Sequence, residues 1–156
     1  MTDFALLLSQ AEALTEGIPY LWANLANLSA LLYGSLEDIN WVGFYEVRDD
    51  GLVLGPFQGR PACVLLPLDR GVCAACVREN KLLNVPDVHA FSGHIACDSA
   101  SKSELVLPLR GSSGRASFVL DIDSPVVNRF QKADEEGLAA LKEIIEKDLP
   151  LWQEHT

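Results

Sequence analysis

Apolar residues at both ends of the chain recur at intervals of three and four positions, the spacing of one helix face. Near the N-terminus two such stripes are separated by Gly17 and Pro19, residues that break helices. The stripes comprise Phe4, Leu7, Leu8, Ala11 and Leu14, then Leu21, Leu25, Leu28, Leu31 and Leu32, and near the C-terminus Leu138, Leu141, Ile145 and Leu149. We therefore predict two helices within 3–35 and one helix over about 132–153.

Between these helices the chain divides into short apolar or alternating segments, which predict strands. The clearest lie at 41–47 and 52–57, joined by the turn Asp49-Asp50-Gly51, and at 104–109 and 116–122, joined by a turn at 111–114. Shorter strands are predicted at 62–66 and 81–85, with a brief helix at 71–80 between them. Segment 86–102 has no period and carries proline, glycine, serine and aspartate, so we expect a long loop. Loops of this length inside a compact domain are usually lids, binding loops or disordered segments.

This order of elements predicts an α+β fold, in which one antiparallel β-sheet carries the N- and C-terminal helices on a face. The 156 residues are enough to bury a core without disulfide or metal support. They contain no internal repeat and no linker. We therefore expect a single domain over residues 1–156.

The net charge and the N-terminal sequence limit the classes of binding partner and the compartment that we expect. The formal net charge is -10, from 22 acidic and 12 basic residues, which argues against nucleic acid and anionic membranes because these are held by basic patches. The N-terminal segment lacks a positive region, and Gln10, Glu12 and Glu16 interrupt its apolar run, so we predict neither a signal peptide nor a membrane span. The expected compartment is the cytoplasm, where cysteines serve as thiols, metal ligands or redox groups more often than as structural disulfides.

The cysteines are the first candidates for chemistry, and there are four: Cys63, Cys73, Cys76 and Cys97. Core packing is the simplest role for Cys63, which lies in a predicted apolar strand. Cys97 lies in a polar run three residues after His94, where a nucleophile activated by that histidine is an alternative. Cys73 and Cys76 have the spacing of a zinc knuckle that His89, His94 and Cys97 could complete. A second knuckle is missing and the later spacing is irregular, which weighs against zinc.

Acidic residues at strand ends form a second set of candidates. Asp121 and Asp123 end a predicted strand and project to the same face, and Glu104 begins the strand before it. Such acids are either solvated or line a pocket. In a pocket they bind an ammonium group or, if held neutral, donate a proton.

Aromatic residues suggest where that pocket lies. Trp41, Gly43 and Tyr45 share one face of the strand at 41–47. A core or edge position is the usual role of such aromatics, but Gly43 between them is expected to leave room for a ligand against the two rings.

Five segments together resemble the free methionine-(R)-sulfoxide reductases, enzymes made of a single GAF domain: NWVGFY (40–45), LVLGPFQGRPAC (52–63), GVC (71–73), VPDVHAFSGHIACDSASKSE (85–104) and VLDIDSP (119–125). They occur in order over nearly the whole chain. The resemblance implies a GAF fold, in agreement with the α+β prediction, and reduction of the R-sulfoxide of free L-methionine to methionine. Most GAF domains only bind small ligands, so it is the cysteine pattern that implies catalysis.

The resemblance also implies roles for individual residues. Cys97 falls on the catalytic position, where a thiolate attacks the sulfoxide sulfur and becomes a sulfenic acid. Cys63 and Cys73 match the other two family cysteines, and we favour Cys63 over Cys73 as the thiol that then forms a disulfide. The positions that line the substrate pocket fall on Trp41, Tyr45, Glu104, Asp121 and Asp123. Thioredoxin is the expected reductant, no metal or bound cofactor is needed, and the family commonly forms homodimers.

Cys76 departs from the family pattern. After GVC the family usually continues with Gly, Thr and Ala, whereas this chain continues with Ala74, Ala75 and Cys76. The extra thiol is either a small core residue or a second relay for the disulfide.

The alternative function for the whole chain is a non-catalytic GAF module that binds a small ligand or senses redox state. The three matching cysteines together with the acids favour the enzyme.

Overall fold

The computed structural model describes residues 1–95 and 97–156; Ala96, part of the predicted loop, lies outside the described residues. The helices are α1 (Phe4–Thr15), α2 (Leu21–Ser35), α3 (Val72–Glu79) and α4 (Lys132–Glu154), and a single 3-10 turn covers Val88–Ala90. The strands are β1 (Trp41–Arg48), β2 (Gly51–Gly59), β3 (Leu65–Leu66), β4 (Leu83–Val85), β5 (Ser103–Arg110) and β6 (Ala116–Ser124). The predicted helices and the four longer strands are confirmed to within a few residues.

All the strands described form one six-stranded sheet in the order β3-β2-β1-β6-β5-β4. Every neighbouring pair is antiparallel, as predicted. Because β1 pairs with β6, residues 41–47 lie next to residues 121–123: Trp41 pairs with Asp123 and Gly43 with Asp121. The topology therefore brings the aromatic and the acidic candidates together.

The sheet buries a core on each face. Val42, Phe44, Leu107, Leu120 and Ile122 point to the face covered by α2 and α4, against which α1 packs. Alternate residues of the same strands point to the other face, where α3 packs against β5 and β6. The terminal helices thus lie on one face, as predicted, and the candidate residues on the other. None of the described helices has the length and apolar character needed to cross a bilayer.

Two local predictions differ from the structure. The strand predicted at 62–66 is only Leu65–Leu66, which pair with Val53 and Leu52 of β2. Pro67 directly follows Leu66 and cannot donate to a sheet, so the strand ends there. The described residues of segment 86–102 form a loop except for the 3-10 turn, where the Asp87 side chain accepts a hydrogen bond from the His89 backbone N–H.

Candidate active site

A cavity opens on the α3 face of the sheet, between α3, the central strands and the loop at 91–101. Seven of the eight residues predicted for the site line it: Trp41, Tyr45, Cys73, Cys97, Glu104, Asp121 and Asp123. The eighth, Cys63, is not part of the lining but is covalently joined to Cys97. The predicted residues, which come from five separate parts of the sequence, therefore form one cluster.

A disulfide joins Cys63 to Cys97 with a Cα–Cα distance of 5.6 Å, within the usual range for such bonds. Cys63 lies outside the strand predicted for it, in the irregular segment between β2 and β3. Its carbonyl accepts a hydrogen bond of 2.9 Å from the Tyr45 hydroxyl, which ties this segment to β1. The disulfide therefore connects the segment between β2 and β3 to the loop that covers the cavity.

The loop around Cys97 is organised by Asp98. One carboxylate oxygen of Asp98 accepts from the Ala100 backbone N–H at 2.9 Å, and the other accepts from the Asn40 side-chain amide at 3.1 Å. The same amide donates to the Ser101 hydroxyl at 3.2 Å. Asn40 and Asp98 were not among the predicted site residues. Asp followed by small polar residues is a turn signal that points to Asp98, but the local sequence gives no signal for Asn40.

Three carboxyl groups line the floor of the cavity. Glu104 on β5 lies directly opposite Asp123 on β6, and Asp121 is two residues away on the same face. Glu104 and Asp121 are both only 6% exposed. Burial raises the pKa of all three, and the charge of Asp121 further raises the pKa of Glu104 and of Asp123. The cluster therefore retains protons at a pH where ordinary carboxyl groups are ionised.

The surroundings of this carboxyl cluster are polar but incompletely paired. The Asp121 Oδ1 atom is buried and has no hydrogen-bond partner among the described residues. His94 Nε2 lies 3.9 Å from Glu104 Oε1, and burial lowers the pKa of this histidine. The guanidinium of Arg70 lies on the exposed rim, so among the described residues the floor of the cavity, where His94 of lowered pKa faces the buried acids, holds no permanent positive charge. The floor is therefore suited to a ligand that carries a cationic donor group.

Aromatic rings form one wall of the cavity. The Trp41 ring stacks on Phe57 at 5.4 Å and on Tyr45 at 5.9 Å between ring centroids. Its indole N–H donates to the Arg60 carbonyl at 3.1 Å. A Cβ on Gly43 would lie 2.6 Å from the Trp41 ring and would also clash with the Phe57 side chain. The prediction that Gly43 leaves room for a ligand is wrong, because the space is occupied by this aromatic stack.

The remaining two cysteines, Cys73 and Cys76, are buried in α3. Cys73 and Cys76 are 4% and 0% exposed and are free thiols. Burial, together with the charge of Asp121, raises the pKa of both, to about 12 for Cys76, whose thiol donates to the Lys81 carbonyl at 3.4 Å. The zinc set considered above is not assembled, because the disulfide occupies Cys97.

A scan against protein-family models gives no match. The chain is 54% identical to the free methionine-R-sulfoxide reductase of Escherichia coli, in an alignment that covers 88% of this chain and 83% of the relative. It also superimposes on the free methionine-R-sulfoxide reductase of Neisseria meningitidis in complex with its substrate, with a TM-score of 0.92, 39% identity and coverage of 98% and 92% of the two chains.

Two further solved structures agree with these matches. The fRMsr of Staphylococcus aureus in complex with substrate has a TM-score of 0.90 and 48% identity, with 96% of this chain and 97% of that chain covered. A structure described as a GAF domain has a TM-score of 0.87 and 39% identity over 93% and 86% of the chains. The GAF fold is therefore confirmed, and the chain belongs to the free methionine-R-sulfoxide reductase family.

Proposed function

We propose that this protein reduces the R-sulfoxide of free L-methionine to L-methionine, with Cys97 as the nucleophile. The observation that carries the proposal is the disulfide between Cys97, which lines the cavity, and Cys63, beside a floor of buried carboxyl groups. Such a disulfide is the product expected when a thiol has reduced a sulfoxide and a second thiol has removed the oxygen.

In the first step the Cys97 thiolate supplies two electrons to the sulfoxide group. The bond between the methionine sulfur and its oxygen breaks, the oxygen becomes bonded to Cys97 Sγ, and methionine leaves. One proton is needed to give the sulfenic acid. A carboxylic acid of the floor can donate it, because the pKa of Glu104 and of Asp123 is raised by burial and by the charge of Asp121.

In the second step a neighbouring thiol attacks the sulfenic sulfur, water leaves and a disulfide forms. We assign this role to Cys63, whose bond to Cys97 is already present. Cys73 is the weaker choice, because burial raises the pKa of its thiol and so lowers the fraction of thiolate. Cys73 instead contributes to the floor, where its sulfur lies within 4.8 Å of carboxylate oxygens of Glu104 and Asp121.

The rest of the cavity accounts for substrate selection. We propose that Glu104, Asp121 and Asp123 bind the α-ammonium group, since these acids form the floor of the cavity and Arg70 lies apart from them on its exposed rim. The stacked rings of Trp41 and Tyr45 offer an apolar wall for the S-methyl group. An enclosed site that binds the ammonium group excludes methionine sulfoxide within a peptide. An N-acetylated substrate is accordingly expected to be reduced far more slowly than the free amino acid.

The oxidised enzyme must be reduced before it can turn over again. We propose that a dithiol protein of the thioredoxin class reduces the Cys63–Cys97 disulfide, and that this protein works in the cytoplasm. The two cores share one sheet, so we regard residues 1–156 as a single functional domain, and we expect it to form homodimers as its family does.

The test is methionine release from free L-methionine (R)-sulfoxide with dithiothreitol as reductant. The wild type is expected to reduce the R-sulfoxide and to leave the S-sulfoxide unreduced. Cys97→Ser should be inactive. Cys63→Ser should retain part of the activity, because dithiothreitol reduces a sulfenic acid directly. Cys76→Ser is the matched control and should behave as wild type. A folded wild type without turnover would instead favour a ligand-binding or redox-sensing module.

A further inference from the structure

The disulfide leaves open which sulfur the reductant attacks and where the reductant docks. Its two cysteines differ in position: Cys97 lines the cavity, whereas Cys63 does not. A folded protein is too large to enter a cavity made for an amino acid. Both cysteines are partly buried, so exposure does not separate them. A partner that stays outside the cavity meets the bond from the side of Cys63, a point that rests on the function proposed above.

Two exposed apolar residues follow Cys63 directly. Val64 is 69% exposed and Leu65 is 51% exposed, among the largest values for branched aliphatic residues in the described chain. The next residue, Leu66, points the other way and lines the cavity. We call Val64 and Leu65 the docking pair. It lies beside the reactive bond but contributes nothing to the cavity.

The backbone here is also open to pairing. β3 is the edge strand of the sheet, so only one of its sides is hydrogen-bonded to β2. An extended segment of a partner can pair with such a free edge, which orients it along the strand. The strand is only two residues long, so the edge offers a short contact suited to a transient complex.

Charge near the docking pair indicates the character of the partner. Arg60, three residues before Cys63, and Arg70, on the cavity rim, are exposed, and neither forms an ion pair among the described residues. The chain as a whole carries a formal charge of -10. Two unpaired guanidinium groups on an otherwise acidic protein favour a partner with acidic groups around its reactive thiol.

We propose that a thioredoxin-class dithiol protein docks on Val64 and Leu65 and attacks Sγ of Cys63. Its first thiolate forms a mixed disulfide with Cys63, the Cys63–Cys97 bond breaks, and Cys97 leaves as a thiolate. Its second thiol then attacks its own sulfur in the mixed disulfide and releases Cys63, so the partner is oxidised by two electrons. This order regenerates the nucleophile first and keeps the partner outside the substrate cavity.

The attacked sulfur can be identified by trapping. The oxidised full-length protein is mixed with a thioredoxin whose second active-site cysteine is replaced by serine, so the mixed disulfide cannot resolve. Peptide mapping by mass spectrometry should find the partner linked to Cys63. Linkage to Cys97 would overturn the proposal. This experiment does not depend on turnover, so it remains decisive even if methionine sulfoxide proves not to be the substrate.

The docking pair is tested by the double variant Val64→Ser/Leu65→Ser. Its KM for thioredoxin should rise roughly tenfold, the effect of losing about 1.4 kcal/mol of contact, while turnover with dithiothreitol stays unchanged. Val126→Ser/Val127→Ser is the matched control, since these valines are 44% and 50% exposed and follow β6, three strands away. An unchanged KM for thioredoxin, or a change of oligomeric state that shows the pair to contact a second copy, would refute the docking surface.

Discussion

Reduction of the Cys63–Cys97 disulfide should cost the folded protein much of its stability. The bond joins residues separated by 34 positions. In the chain-entropy model a loop of this size restricts the unfolded chain by about 4 kcal/mol at 25 °C. For a domain of this length that corresponds to a melting temperature lower by about 8 to 15 °C in the reduced form.

Thermal melts of oxidised and reduced protein, followed by circular dichroism, measure this difference, with the redox state confirmed by mass spectrometry. The variant Cys63→Ser/Cys97→Ser should melt near the reduced wild type and should not respond to reductant. Cys76→Ser should keep the full response, because its thiol takes no part in the bond.

Equal melting temperatures for the oxidised and reduced wild type would refute this reasoning. They would mean that the disulfide does not restrict the unfolded chain further. Alternatively, strain in the disulfide of the folded protein would cancel the stability that the restriction adds. A reduced form that melts lower by the stated amount implies that substrate turnover drives the enzyme into its more stable state. The reductant must then supply the free energy to leave that state.

Three further predictions concern the cavity. Because burial raises the pKa of Glu104 above its ordinary value of 4.5, its contribution to stability is full at acid pH and is lost as the pH rises through the folded pKa. Glu104→Gln should therefore raise the melting temperature more at pH 8 than at pH 5, while turnover falls by roughly 100-fold; an equal rise at both pH values would contradict the assignment. Gly43→Ala should cost about 1–3 kcal/mol in chemical denaturation and raise KM, because the new methyl group meets the Trp41 ring; wild-type stability would show that the stack is loose. Tyr45→Phe removes the hydrogen bond to the Cys63 carbonyl and should slow disulfide formation in single turnover while methionine release stays fast; an unchanged rate would show that this bond does not position Cys63.

Most of the secondary structure could be predicted because it follows from local periodicity. The stripes within 3–35 and after 132 appear as α1, α2 and α4, and the alternation in 41–47 and 116–122 appears as β1 and β6. The same alternation placed Asp121 and Asp123 on the face opposite Ile122, as the structure has them. Periods of 3.6 and 2 residues are a direct consequence of burying one face, so they are visible without tertiary information.

What could not be predicted depends on pairings between distant segments. The length of β3 depends on its register with β2 and on Pro67, which directly follows it, and not on the apolar run at 62–66. The role of Gly43 depends on Phe57, which reaches it only through the β1–β2 register. The contact between Asn40 and Asp98 spans 58 positions, and no spacing rule in the sequence connects them.

The buried acids beside a reactive thiol have a consistent physical explanation. Ionised carboxylates near a thiol disfavour its thiolate form, which is the nucleophile. Burial prevents this, because it raises the pKa values of Glu104, Asp121 and Asp123 and keeps the cluster partly protonated. When a substrate brings its ammonium group, one carboxylate can ionise against it and a neighbouring acid still holds a proton for the sulfoxide oxygen. If the acids bind the ammonium group as proposed, the substrate itself balances the charge of the site. An amino acid with a free ammonium group is then expected to bind more favourably than the same side chain in a peptide.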